Sequence, residues 1–333
     1  MGHPVDRMPT LHDVFEARGR IEPLIWETPL LPSPGLAAGI GARNLHLKLE
    51  SLQHTGSFKV RGAANKILSL TDAEKERGMI TFSTGNHGKA VAYVAGRSGI
   101  PAVVCLSEHV PEYRAEAIRR LGAEVSRRGK SQDEAEENYR ELMNSQGFIP
   151  VVPFDDPHVI AGQGTIGLDI LGKLPGTDVL LIQLSGGGLL AGIAMAAKSI
   201  HPGIHVVGIS LERSPAMLES LRAGKSVPVP EKDSIADSLL GGIGTDNRYT
   251  LPIVERFVDE HLTVTEEEIK AGMVYVFEKH RLIVEGAAAV GVAALMHRKA
   301  DVSGKSVVTV LTGSSVDSGA YVQILKEGLS RSP

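Results

Sequence analysis

Short, almost unbroken apolar runs recur along this chain, each followed by a longer stretch in which small and apolar residues return every three or four positions. A run of four to seven such residues between turn-forming neighbours reads as a strand covered on both faces; the longer period reads as a helix. Strands are therefore expected at 46–50, 79–83, 102–106, 124–127, 150–154, 178–184, 205–211 and 307–312. Helices are expected at 57–70, 86–98, 112–121, 131–146, 159–173, 189–200, 265–281 and 286–299. The alternation from about Asn44 onward predicts an α/β fold with parallel sheets. No internal repeat interrupts it, and the proline-rich Ser226-Val227-Pro228-Val229-Pro230 reads as a surface loop.

A length of 333 residues exceeds the usual single domain and predicts two lobes. A formal net charge of −4 offers no electrostatic footprint for nucleic acid or for a membrane surface. No apolar run approaches the length of a membrane span. The acidic run at 133–137 is a solvated helix face. Cys105, the single cysteine, leaves no internal disulfide to form and points to a reducing compartment, the cytoplasm; its apolar neighbours predict a buried, inert thiol.

The densest candidate chemistry is Gln53-His54-Thr55-Gly56-Ser57-Phe58-Lys59-Val60-Arg61-Gly62-Ala63. Lys59 stands at the entry of a predicted helix, where unpaired N–H groups and the positive helix end favour a neutral amine. A neutral amine is what an aldehyde cofactor needs for a Schiff base. Without other motifs, a surface lysine in a first helical turn is the simpler reading.

Ser83-Thr84-Gly85-Asn86-His87-Gly88 joins a predicted strand to a helix and converges its N–H groups on a spot suited to a carboxylate or phosphate. The Asn86 amide can bond a phenolic or carboxylate oxygen there, or simply cap the helix. Leu184-Ser185-Gly186-Gly187-Gly188-Leu189 makes a similar turn, and its glycines let backbone approach an anion closely. It is not a Walker loop, since no Gly-Lys-Ser/Thr follows. Gly186-x-Gly188-x-x-Ala191, with Glu212 near the end of the next strand, meets a degenerate dinucleotide fingerprint and leaves a nicotinamide cofactor open. Thr312-Gly313-Ser314-Ser315 closes the last strand with hydroxyls, and Glu285 precedes a helix of small residues; ordinary capping accounts for either alone.

In this order and together, these five motifs resemble the pyridoxal-phosphate enzymes of the tryptophan-synthase-β type, in the serine/threonine dehydratase and serine racemase branch, from about Leu11 to Leu325. The resemblance implies fold type II: two lobes, each with a mainly parallel sheet flanked by helices, and the cofactor in the cleft. The large domain would comprise 1–78 and 149–333, with a small domain, 79–148, inserted in it. Lys59 would hold pyridoxal 5'-phosphate covalently and later move the substrate's Cα proton. Phe58 would flank the pyridine ring, Asn86 would bond its phenolic oxygen, Thr312 would face its nitrogen, and Glu285 would be the acid nearby. Ser185, Gly186, Gly187, Gly188 and Leu189 would cradle the phosphate through backbone amides, and Ser83, Thr84, Gly85, Asn86 and His87 would clasp the substrate carboxylate. The implied reaction removes water from a β-hydroxy amino acid; the enamine left behind hydrolyses to a 2-oxo acid and ammonia. A homodimer acting on a small amino acid is the implied assembly, and the chain's end soon after its last helix argues against an attached regulatory domain.

Several positions depart from the pattern. Thr84 stands where racemases carry a catalytic serine and many threonine dehydratases an alanine, so an amino acid racemase is the second reading. Ser210 and Ala216 replace the Glu and Asp of metal-activated members, so no metal is expected. Ser238 stands where threonine dehydratases usually have glycine. The run from Gly241 to Thr250 looks more like the dehydratases of hydroxyectoine utilisation, for which 3-hydroxyaspartate is one candidate substrate. Arg248 is available to a second substrate carboxylate, or to Asp237 or Asp246 as a loop anchor. A nicotinamide oxidoreductase and a noncatalytic sensor are the remoter readings.

Overall fold

A computed structural model describes residues 7–83, 85–130 and 132–330; Thr84, read above as a carboxylate ligand and, in the place of the racemases' catalytic serine, as a candidate catalytic residue, lies outside them. Among the described residues ten strands appear in chain order: β1 (Leu30–Pro32), β2 (Asn44–Lys48), β3 (Met79–Phe82), β4 (Ala102–Leu106), β5 (Glu124–Arg127), β6 (Ile149–Pro150), β7 (Val179–Gln183), β8 (His205–Leu211), β9 (Glu260–Val264) and β10 (Ser306–Val310). They make a six-stranded sheet, β1-β2-β10-β7-β8-β9, and a four-stranded sheet, β5-β4-β3-β6. Pairing is parallel throughout except between β1 and β2. The expected α/β architecture with two mainly parallel sheets is what the chain adopts.

The central strands β7 and β10 are buried at every residue, because helices cover both faces of their sheet. On one face Leu181 and Val307 pack against the helices Glu266–His280 and Gly286–Met296; on the other, Leu180, Ile182 and Val308 pack against Leu11–Ile21, Pro157–Lys173 and Gly188–Ile200. The four-stranded sheet has its own core, where Val104 and Leu106 meet the helix Asn86–Ser98 and the apolar face of Lys59–Leu68.

The predicted strand at 150–154 shrinks to Ile149–Pro150. After Val151 donates its N–H to Ile80 O the chain leaves the sheet, and Pro153 has no N–H with which to continue a ladder. β1 and β9 carried no readable signal: β1 has three residues, and β9 is a half-exposed edge whose Glu260, His261 and Thr263 break any apolar run.

Three helices meet through glycine. A Cβ on Gly162 would lie 2.6 Å from the Arg61 carbonyl oxygen and 2.7 Å from Gly62 Cα, and one on Gly192 2.7 Å from the Gly164 nitrogen. Backbone therefore packs on backbone where Lys59–Leu68, Pro157–Lys173 and Gly188–Ile200 cross.

Beside this crossing lies a cluster of buried charges. Arg61 donates through Nε and Nη2 to the two oxygens of Glu50, both at 2.8 Å, and through Nη2 to Asp169 at 2.8 Å; Nη1 reaches Thr165 Oγ1 at 3.0 Å. Lys48 Nζ donates to Asp169 at 3.2 Å and to Thr28 O at 2.8 Å. Lys48, Glu50 and Arg61 are fully buried, so removing one partner strands the others in a low-dielectric interior. Arg61→Leu should destabilise the protein by about 3–5 kcal/mol, and Arg61→Lys should also lose the two-pronged contact. Thermal unfolding checks this: a melting midpoint unchanged in Arg61→Leu would show the cluster to be dispensable.

Candidate active site

Three parallel strands lead at their carboxyl ends into candidate site segments: Ser83 and Gly85 follow β3, 184–187 follow β7 and 311–315 follow β10. Ligands of open α/β sheets characteristically sit at such ends. The last of these segments is laced to the loop carrying Lys59. Ser51 N–H donates to Leu311 O at 2.8 Å, Phe58 N–H to Thr312 O at 3.0 Å, and Ser314 N–H to Gly56 O at 2.9 Å, while Ser57 and Gly313 form a β-bridge.

Lys59 is the first residue of its helix, and its Nζ donates to Pro153 O at 2.9 Å. Burial lowers its amine to about 8, and nearby Glu285 opposes that shift. The neutral form is therefore easier to reach than in an ordinary lysine, and desolvation rather than the helix end is the main cause. Phe58 is partly buried, with the ammonium 5.2 Å from its ring centre.

Asn86 opens the next helix and donates Nδ2 to both oxygens of Glu285, each at 2.9 Å. Ser238 Oγ donates to Glu285 Oε1 at 3.0 Å and the Ser315 N–H to Oε2 at 3.1 Å. Burial raises the Glu285 carboxyl; Asn86 and Ser238 pull it back, Asp237 pushes it up, and the Ser315 amide again lowers it. His87 is buried, with Nε2 2.8 Å from Val151 O, so that nitrogen bears the hydrogen. Burial and the Lys59 charge hold its ring down to about 3, and it is neutral. Ser83 is partly buried; its Oγ accepts the Gly85 N–H at 3.4 Å.

The glycine turn leads into Gly188–Ile200. Gly187 has φ +90°, a left-handed conformation that side chains resist, and it supplies the residue before the helix. A Cβ on Gly188 would lie 2.9 Å from Phe154 Cα, and one on Gly187 2.9 Å from Thr250 Cβ. The turn is thus gripped between the 151–156 crossing and the Thr250–Phe257 helix. Asp155 holds that helix in place by accepting the backbone N–H groups of Arg248, Tyr249 and Thr250 at 2.8–2.9 Å.

The arrangement brings Lys59, Phe58, Asn86, Glu285 and Thr312 into one set of mutually bonded loops, with Ser185, Gly186, Gly187, Gly188 and Leu189 on the turn beyond Phe154. Pro153, Phe154 and Asp155 were not picked out from sequence; Ser238 was noted there as a departure from glycine, but not as a partner of Glu285. Phe154-Asp155-Asp156-Pro157 does contain one legible signal, the Asp156 cap of the Pro157–Lys173 helix. Among the described residues no group of three or more His, Cys, Asp or Glu side chains is placed to hold a metal; Ser210 is a buried residue of β8, and Ala216 begins the helix Ala216–Ala223.

The site's residues fit pyridoxal phosphate. Thr55 Oγ1, Ser57 Oγ and Asn86 Oδ1 are buried without a hydrogen-bond partner, an expensive condition unless a polar group is received there. A glycine turn at a helix N-terminus suits a phosphate, and a half-buried, easily deprotonated lysine suits an aldehyde.

Comparison with known proteins agrees. The profile of the family described as pyridoxal-phosphate dependent enzyme matches residues 21–313. A provisionally assigned threonine dehydratase of Sinorhizobium fredii is 43% identical over 95% of both chains. The L-threonine ammonia-lyase of Thermotoga maritima is 40% identical over 98% of this chain and 80% of its own. Maize serine racemase superposes with a TM-score of 0.89 at 30% identity, covering 97% of this chain and 99% of that one. The nicotinamide reading of the glycine turn is left without support. With a profile match across most of the chain and relatives of this identity, the chain belongs to the pyridoxal-phosphate-dependent enzymes of fold type II, in the threonine dehydratase–serine racemase family.

Proposed function

We propose that this enzyme is an ammonia-lyase that dehydrates a β-hydroxy amino acid to a 2-oxo acid and ammonia. The observation that carries the reading is a desolvated Lys59 amine on Pro153 O, directly after Phe58, whose N–H is bonded to the Thr312–Ser315 turn that also bonds Glu285 of the Asn86–Glu285 pair. Bound pyridoxal phosphate supplies the electron sink that makes the substrate's Cα–H acidic. Lys59 would hold the cofactor through its amine and, with that amine free, would take the substrate's Cα proton. The Cβ–oxygen bond breaks as a double bond forms between Cα and Cβ, and the hydroxyl departs as water once protonated. Addition of water to the resulting enamine's imine form releases ammonia. Ser185, Gly186, Gly187, Gly188 and Leu189 would bind phosphate through their backbone; the 83–87 loop (Ser83, Thr84, Gly85, Asn86 and His87) would receive the substrate carboxylate through its backbone N–H groups. Thr312 would supply a hydroxyl rather than a carboxylate to the ring nitrogen, and a hydroxyl would not hold that nitrogen protonated, which would favour expelling the β-substituent.

Relatives named for L-threonine make threonine the first candidate substrate. The narrower proposal, the hydroxyectoine-utilisation subgroup with a substrate such as 3-hydroxyaspartate, rests on the 241–250 segment, which Asp155 seats against the glycine turn. The likeness to a serine racemase supports racemisation as a second reading. The small domain is taken as 79–148, which holds β3, β4 and β5 of the four-stranded sheet; its fourth strand, β6 at Ile149–Pro150, falls just past that boundary. One reduced, buried Cys105 is compatible with the cytoplasm.

Wild-type protein supplied with threonine, serine and 3-hydroxyaspartate should release 2-oxo acid and ammonia from at least one. Lys59→Ala should lose at least 1,000-fold of that activity (on the order of a missing catalytic base and anchor) together with covalent cofactor and yellow colour. Turnover preserved in Lys59→Ala would sink the assignment; a D-amino acid product without keto acid would promote the racemase.

The amine at about 8 sets a pH dependence. Only the deprotonated amine attacks the aldehyde, so capture of pyridoxal phosphate by the apoprotein should speed up about tenfold per pH unit below that value and level off above it. A rate still climbing near pH 10 in stopped-flow absorbance would show an ordinary, unshifted lysine. Light scattering should report a particle of twice 35.4 kDa if the family's expected homodimer forms, and the monomer mass if it does not.

A further inference from the structure

Glu285 receives hydrogen bonds from three residues on three separate segments, and one of the donors is unlike the others. Asn86 opens a helix and is buried, and the Ser315 donor is a backbone amide just after β10. Ser238 is an exposed side chain on the short 3-10 turn Asp237–Leu239. That turn is nonetheless firmly built. Ser234 Oγ and Ile235 N–H donate to the Glu266 carboxylate at 2.6 and 2.9 Å, and Leu239 N–H closes onto Ala236 O at 2.8 Å. Ala236 is fully buried, and its nitrogen lies where a Cβ on Gly286 would meet it at 3.0 Å. Backbone contact with the residue next to Glu285 thus fixes where the Ser238 hydroxyl stands.

We propose that Ser238 is a positioning residue for the reaction: its hydroxyl holds the Glu285 carboxylate so that both oxygens stay on Asn86 Nδ2, leaving Asn86 Oδ1 turned toward the site. The proposal rests on the functional reading above. An ionised carboxylate can only accept, so it orients the Asn86 amide with its NH2 group inward. A protonated carboxyl gains a donor of its own and no longer dictates which end of the amide it meets. Every hydrogen bond donated to the carboxylate favours the ionised form, and Ser238 supplies the one from the solvent side. The charged groups acting on Glu285 are Lys59 and Lys89, which attract it, and Asp237, which repels it. A glycine at this position, which the resemblance leads one to expect, would make no such bond.

The test compares wild type, S238A and S238T as holoenzymes, with a titration of pyridoxal phosphate into each apoprotein. Loss of the hydroxyl makes Glu285 harder to ionise. The acid limb of kcat/KM against pH should therefore move up by about one pH unit in S238A, so that activity on the limb falls about tenfold at fixed pH. The pH titration of the bound cofactor's absorbance should move with it, and S238T, which keeps the hydroxyl, should follow wild type. Cofactor affinity should fall in S238A most at the acid end of the range. Superimposable pH profiles and spectra for S238A and wild type would overturn the proposal, as would an S238T displaced as far as S238A. If S238A folds poorly by circular dichroism, S238G provides the same comparison without an added methyl group. A wild-type protein that neither binds the cofactor nor eliminates water would defeat the functional reading itself; an active wild type with an unmoved S238A defeats this inference alone.

Discussion

The buried quartet of Lys48, Glu50, Arg61 and Asp169 is the constraint on which the site depends. Arg61 lies two residues beyond Lys59 on the same helix, and its guanidinium is held at once by Glu50, just past the end of β2, and by the Pro157–Lys173 helix. Planar, multi-point contact of this kind fixes a helix both along and around its axis, which a greasy contact of equal area does not. Taking four charges out of water is expensive, so the cluster's contribution is better counted in position than in net stability. The reactive amine two residues away inherits that position.

Around this fixed lysine the chain uses a single crossing, residues 151–156, to gather the remaining parts. Val151 O meets His87, Pro153 O meets Lys59, Phe154 packs against the glycine turn, Asp155 gathers three backbone amides, and Asp156 caps a helix and pairs with Lys66 at 2.6 Å. Each contact comes from a residue or atom with little individual chemistry. Their joint effect is to tie the small-sheet helix, the lysine and the glycine turn to one stretch of backbone.

What was legible in the sequence follows from this division. Strands buried on both faces announce themselves as apolar runs, and the motif residues Lys59, Asn86 and Gly186–Gly188 announce themselves by kind and spacing. The helix at Leu11–Ile21 went unread despite its Thr10–Asp13 capping box, because its apolar stripe is only Val14, Ala17 and Ile21 among charges. The 150–154 segment looked like a strand because apolar content says nothing about where a ladder ends. The Glu50–Arg61–Asp169 contacts span up to 108 residues, and no local pattern encodes a partner at that separation. The Pro153 carbonyl is invisible for a different reason: a backbone acceptor has no identity in the alphabet of side chains.

The glycine-lined meeting of three helices has a consequence for how such a protein can diversify. The separation between the amine and the anion cradle is set by main chain resting on main chain, at Gly62, Gly162 and Gly192. Any larger residue there would wedge the two reactive halves apart, so the span matched to a single cofactor is closed to gradual tuning. New substrates must be accommodated instead by the turns at the rim, where a changed side chain alters what is recognised and leaves the distance between lysine and phosphate untouched.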